Sequence, residues 1–128
     1  MKTYTIKDLS RQFGLPASTL RYYEEEGLLT GVGRTPEGRR VYEERHVSRL
    51  ETICCFKGTG MSIAQLRKFF RYEEDGPAHT DEILALLRSQ REHVLAEIRR
   101  MQENLAHVER KIRRYEALAE QTPDRAGG

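Results

Sequence analysis

Two short runs in this 128-residue chain hold side chains suited to gripping a polyanion. The first is Leu20-Arg21-Tyr22-Tyr23-Glu24-Glu25-Glu26-Gly27-Leu28-Leu29; the second, Glu37-Gly38-Arg39-Arg40-Val41-Tyr42, follows shortly after. Arginine neutralises phosphate charge, and tyrosine and serine hydroxyls fix register along a sugar-phosphate backbone. The first run reads as a helix that stops at Gly27. The second reads as a tight, basic hairpin tip. A helix and a basic hairpin so close in the chain suit a surface that holds a phosphate backbone at two adjacent places.

Other reactive groups are few. Cys54 and Cys55 are neighbours and cannot build a disulfide framework in one small domain, so a reducing, cytoplasmic setting is expected. His79, His93 and His107 recur every fourteen residues and share one heptad position. They would stand about 21 Å apart along a helix, too far to share one metal ion, and read as part of a solvated face. No Ser/His/Asp set, metal-ligand cluster, Walker loop or dinucleotide fingerprint occurs. No catalytic residue, metal or cofactor is therefore expected, and an enzyme is rejected.

Helices must position these groups. Thr5 caps a first helix, with Asp8 at its third position, Ile6, Leu9 and Phe13 at helical spacing, and Gly14 as the stop. A second helix runs from about Pro16 to Glu26. Leu20 turns toward Ile6 and Phe13, which leaves Ser18, Arg21, Tyr22 and Glu25 on the outer face. Two short helices joined by a Gly-containing turn form a helix-turn-helix pattern. Val32 to Val41 reads as a β-hairpin turning at Thr35-Pro36-Glu37-Gly38. A third helix spans about Glu43 to Lys57, with Val47, Leu50 and Cys54 on one face. A fourth opens with the capping box Ser62/Gln65, buries Leu66, Phe69 and Phe70, and ends near Asp75-Gly76-Pro77.

The last element starts at a Thr80 cap and carries two heptad series. Leu87, Val94, Met101, Val108 and Tyr115 form one; Leu84, Ile98, Leu105, Ile112 and Ala119 form the other, interrupted only by Arg91. A sustained 3.5-residue period means a coiled coil, here about 54 Å long. Such a stripe needs a partner, and a second copy of the chain is the simplest one. The expected fold is mainly α: a helix-turn-helix domain over residues 1–75 with a small β-hairpin, a dimerisation helix over 79–120, and a flexible tail over 121–128.

Composition agrees. Hydrophobic content is 38%, charged content 33%, and the net charge only +2. The small basic excess lies in residues 1–60, which hold ten Lys/Arg against eight Asp/Glu, and Arg34, Arg39 and Arg40 concentrate it at the hairpin. No apolar run is long enough to span a bilayer, and Met-Lys-Thr-Tyr-Thr lacks the apolar stretch of a signal peptide, so no membrane is expected.

At this point the chain resembles the MerR family of bacterial transcriptional regulators. The matching residues are Tyr4-Thr5-Ile6 with Leu9, Thr19-Leu20-Arg21-Tyr22-Tyr23-Glu24 with Gly27-Leu28-Leu29, Gly38-Arg39-Arg40-Val41-Tyr42, and Gly60-Met61-Ser62-Ile63. The resemblance implies a winged helix-turn-helix, with the hairpin as the wing, and a homodimer joined by an antiparallel coiled coil. It further implies a near-palindromic operator in a promoter with a long spacer. Activation then comes from distorting the spacer, so that RNA polymerase is engaged indirectly through the DNA. Carried over residue by residue, the DNA contacts fall on Ser18, Thr19, Arg21, Tyr22, Tyr23, Arg40, Tyr42 and Lys57, with Ala17 and Arg21 nearest the bases. Three positions depart from the family pattern. Pro16 and Glu43 stand where small capping residues are common, and Arg39 replaces a usual aromatic, which adds a phosphate contact. Tyr23 and Tyr42 also admit a core-packing reading, and Lys57 a solvated one.

The signal is less defined. The cysteines that metal-sensing members carry near the end of the dimerisation helix have no counterpart after Cys55, and no drug-binding domain is expected beyond the coil. The chain resembles a subgroup of thiol-based aldehyde and nitrosative-stress sensors, with Ile53-Cys54-Cys55 in the matching place. That resemblance implies Cys55 as the sensing thiol; two inert small residues are the alternative. Glu51 one turn earlier and the negative end of the helix oppose a reactive thiolate. A rival reading of the whole chain is a coiled-coil interaction or structural module with only non-specific DNA affinity.

Overall fold

The computed structural model describes residues 2–121; the tail expected over 121–128 lies, beyond Gln121, outside the described residues. The elements run β1 (Thr3–Tyr4), α1 (Ile6–Phe13), α2 (Ala17–Glu25), β2 (Gly33–Arg34), β3 (Arg40–Glu43), α3 (Glu44–Gly58), α4 (Ile63–Glu74), a 3-10 turn (Gly76–His79) and α5 (Thr80–Gln121). This is the mainly α, winged helix-turn-helix fold that the resemblance implies.

Local signals place most helix ends. Thr5 and Asp8 exchange hydrogen bonds across the first turn of α1, and Gly14 closes it at φ +65°. Ser62 and Gln65 do the same for α4. Pro16 starts α2 without a side-chain cap; its carbonyl accepts the Thr19 and Leu20 amides instead. Thr80 does not cap α5. The 3-10 turn already leads the chain in, Thr80 is itself helical, and its hydroxyl donates to the Pro77 carbonyl.

The expected two-stranded hairpin is a three-stranded antiparallel sheet, ordered β1-β3-β2. Thr3 and Tyr4 pair with Glu43 and Tyr42, while Gly33 and Arg34 pair with Val41 and Arg40. The added strand fixes the start of α1 beside the base of the wing.

The chain divides into two compact units, Met1–Gln90 and Arg91–Gly128. The first is built on Leu9, Leu20, Leu28, Leu50, Ile53, Met61 and Leu66, all almost fully buried. Phe56, Phe69 and Phe70 close it edge to face, with ring centres 5.2 and 5.4 Å apart. Ion pairs add to the hydrophobic packing: Arg67–Glu26 at 2.7 Å ties α4 to the end of α2, and Arg49–Glu74 at 3.0 Å ties α3 to α4.

This unit extends beyond the boundary expected at residue 75, because Ile83, Leu86 and Leu87 of α5 pack on the same core. Leu87 was expected to face a partner helix; it is half-buried on its own domain instead. Gln90 donates to both the carbonyl and the hydroxyl of Thr59, each at 2.9 Å, and so holds α5 to the turn after α3.

In the second unit the heptad positions are open. Val94 is half-buried, whereas Ile98, Leu105, Val108 and Ile112 are exposed, and Met101 and Tyr115 are 65% and 62% exposed. No helix among the described residues is long and apolar enough to cross a membrane.

Candidate nucleic-acid interface

Helix α2 has an inner and an outer face. Leu20 and Tyr23 point into the core. Ser18, Arg21 and Glu25 are exposed, Tyr22 is 43% exposed, and Ala17 and Thr19 are half-buried at the helix start. Tyr23, expected among the DNA contacts, is only 6% exposed, and burial is the main cause that raises its hydroxyl pKa. Its ring is a packing element that holds α2 in place rather than part of the contact surface.

The wing has a defined tip. Gly38 closes it at φ +85°, in the left-handed region that glycine adopts most readily. The Gly38 amide donates to the Thr35 carbonyl, the Thr35 amide to the Arg39 carbonyl, and the Arg39 amide to the Thr35 hydroxyl. Arg39 stands exposed at this tip.

Tyr42, expected either to contact DNA or to pack over the hairpin, does the latter, and no part of it is accessible. Its hydroxyl donates to Glu24 Oε2 at 2.9 Å, and its ring meets His46 edge-on at 5.8 Å. Burial first, then the hydrogen bond to the Glu24 carboxylate, pushes its pKa far above the ordinary 10.0. Arg40 reaches the same oxygen, with Nε donating at 2.8 Å. One carboxylate oxygen of α2 therefore holds two side chains of β3. Glu24 lies within the Leu20–Leu29 run, but nothing local in the sequence marks it as the junction between helix and wing.

A second junction went unread. His46 is 2% exposed, with Nδ1 accepting the Glu43 amide at 2.9 Å and Nε2 2.8 Å from the Thr30 carbonyl. This pairing fixes the tautomer with hydrogen on Nε2, which donates to Thr30. The imidazole thus serves as the cap of α3 where Glu43 replaces the usual small residue, and it anchors the loop that leads into the wing. Arg45 donates to the Gly31 carbonyl at 2.9 Å in the same loop. Gly31 has φ +69°, and a Cβ there would lie 2.5 Å from the Arg45 guanidinium.

Lys57 is exposed in the last turn of α3. The buried face of that helix is His46, Val47, Leu50 and Ile53, so Cys54 is only half-buried rather than a core thiol. Burial still pushes the Cys54 thiol pKa up. Cys55 is exposed, and both cysteines are free. No group of His, Cys, Asp or Glu among the described residues is arranged to hold a metal ion.

The surface thus combines an exposed helix face, a basic turn and a terminal lysine on elements locked to one core. Comparison with known proteins gives this geometry its context. The family described as "MerR HTH family regulatory protein" matches residues 4–73, and "MerR, DNA binding" matches residues 47–108. An uncharacterized HTH-type transcriptional regulator of Haemophilus influenzae is 32% identical over 89% of this chain and 84% of its own length. The crystal structure of HiNmlR, a MerR family regulator lacking the sensor domain and bound to promoter DNA, superposes with a TM-score of 0.80. It is 31% identical, with 93% of this chain and 94% of that one covered. A MerR family regulator from Bacillus thuringiensis gives a TM-score of 0.76 at 32% identity, over 89% of this chain and all of that one. These relatives are regulators, not enzymes. The chain belongs to the MerR family and is a DNA-binding transcriptional regulator.

Proposed function

We propose that the protein binds a near-palindromic operator as a homodimer and activates transcription by distorting the promoter spacer. Residues 1–75 supply the DNA-binding domain and residues 79–120 the antiparallel dimerisation helix. The observation that carries this reading is the open face of α2 beside a wing fastened to it at Glu24. Ala17, Ser18, Thr19, Arg21 and Tyr22 engage DNA from the helix, Arg39 and Arg40 from the wing, and Lys57 from the end of α3. Tyr23 and Tyr42 act from below, by holding these elements in place. The exposed series Ile98, Met101, Leu105, Val108, Ile112 and Tyr115, with Val94, supports dimerisation. RNA polymerase is engaged through the promoter, and the setting is cytoplasmic.

Cys55 is the proposed signal site. Its exposure supports modification by a small electrophile, whereas Cys54 is half-buried with a raised pKa. In-vitro transcription from the protein's own operator tests both levels. Wild type and Cys55→Ser are compared with and without a reactive aldehyde. Induction lost only in Cys55→Ser supports a thiol-switched activator. Equal induction in both would remove Cys55 from the mechanism and leave the DNA-binding reading untouched.

A further inference from the structure

The wing, from its tip to the start of β3, and the start of α1 enclose a recess that brings Lys7, absent from the contacts above, beside Arg39. Its volume is about 360 Å³, and it is lined by Thr5, Ile6, Lys7, Gly38, Arg39 and Arg40. Three cations line one depression. Arg40 is already committed through Nε to Glu24. Lys7 and Arg39 are both exposed, and neither side chain has an ion-pair or hydrogen-bond partner among the described residues.

The helix end does not itself supply the attraction. The Asp8 amide is held by the Thr5 hydroxyl, and the Asp8 carboxylate folds back onto the Thr5 amide, which keeps its charge in the cap. What remains open is a pair of cationic side chains, Lys7 and Arg39, lining one gap. That gap is roomy enough for one tetrahedral oxyanion with some water. Lysine acts here as a point charge, which suits a phosphate oxygen.

We propose that this recess takes one phosphate of the DNA backbone between Lys7 and Arg39, making α1 a further DNA-contacting element. The proposal rests on the reading that α2 and the wing face DNA. Arg40, which lines the recess, is bonded to Glu24 of α2, so the recess adjoins the proposed α2 and wing contacts. Strand β1 holds α1 to β3 and keeps the two cations together.

The full-length protein and a short random-sequence duplex test it, because phosphate contacts do not depend on sequence. Affinity is measured between about 50 and 200 mM salt, where the log–log slope is roughly −0.9 per neutralised phosphate. Since they share one phosphate, Lys7→Gln and Arg39→Gln should each reduce the slope by less than about 0.9, because the remaining cation still neutralises part of its charge, and the double variant by about 0.9. Lys68→Gln on α4 should match wild type, and thermal melting of each variant checks the fold.

A Lys7→Gln slope parallel to wild type, with Arg39→Gln alone losing as much as the double variant, would overturn the proposal while leaving the α2 and wing contacts in place. A double variant losing about 1.8 would overturn the shared phosphate in favour of two separate ones. A wild-type affinity insensitive to salt would overturn this proposal together with the reading beneath it. In a separate arm, inorganic phosphate at constant ionic strength replaces the duplex. Stabilisation of wild type but not of Lys7→Gln would overturn the backbone assignment in favour of a free-anion site.

Discussion

Tyr22 and Tyr42 carry the same hydroxyl into opposite surroundings, and their variants should separate accordingly. Tyr22 is open to solvent, so Tyr22→Phe should weaken DNA binding while leaving denaturant unfolding unchanged. Tyr42 is sealed against Glu24. Tyr42→Phe should lower unfolding free energy by about 1.5–3 kcal/mol, the scale of a hydrogen bond to a charged group. Equal stability with lost DNA affinity would instead restore Tyr42 as a direct contact. The pH dependence has a definite sign. In the folded protein the Tyr42 hydroxyl keeps its proton beyond the ordinary 10.0, whereas the unfolded chain releases it there. Its contribution to stability is therefore complete below about pH 10 and falls as pH rises further. Urea titrations at stepped alkaline pH should show this fall in wild type and a shallower one in Tyr42→Phe. Between the thiols, burial of Cys54 favours alkylation of Cys55 at neutral pH, and peptide mapping after brief labelling would show the order.

At the level of elements, the turn after α3 is held from outside by Gln90. Gln90→Ala should cost about 1 kcal/mol and speed amide exchange at Gly60 and Met61, whose amides close that turn onto Lys57 and Phe56. Unchanged exchange at those amides would mean that the turn supports itself. The contrast between α4 and the wing shows what could be read from residue order. Ser62 and Gln65 are three residues apart, so their reciprocal cap is visible in the sequence. Gly14, Gly27 and Gly38 likewise announce their turns, and the heptads announce α5. The partnership of Glu24 with Arg40 and Tyr42 spans sixteen and eighteen residues, and that of His46 with Thr30 spans sixteen. Short-range pattern does not encode such pairings. For the same reason β1 was missed, since two residues acquire strand character only by lying beside β3. Leu87 was misplaced because its heptad position fits a partner helix as well as it fits the domain core. The outer face of α2 was legible; which of its neighbours are supports rather than contacts was not.

For the whole molecule, the decisive property is the apolar series left open on the second unit. Burying it in a second copy should make melting temperature rise with protein concentration. Leu105→Lys, placed mid-series, should convert a dimer to a monomer in sedimentation velocity and cut operator affinity, while the first unit stays folded. A monomeric wild type would reject the dimer. The single Glu24 oxygen has a consequence at this scale too. Because it grips both Arg40 and Tyr42, helix and wing form one unit rather than two exchangeable parts. Replacing α2 by a helix without a carboxylate at position 24 would strand the buried Tyr42 hydroxyl and release Arg40. Exchanging residues 17–43 as a block keeps Glu24 with both Arg40 and Tyr42, and it is therefore the block, not the helix, that should carry operator preference from one regulator to another.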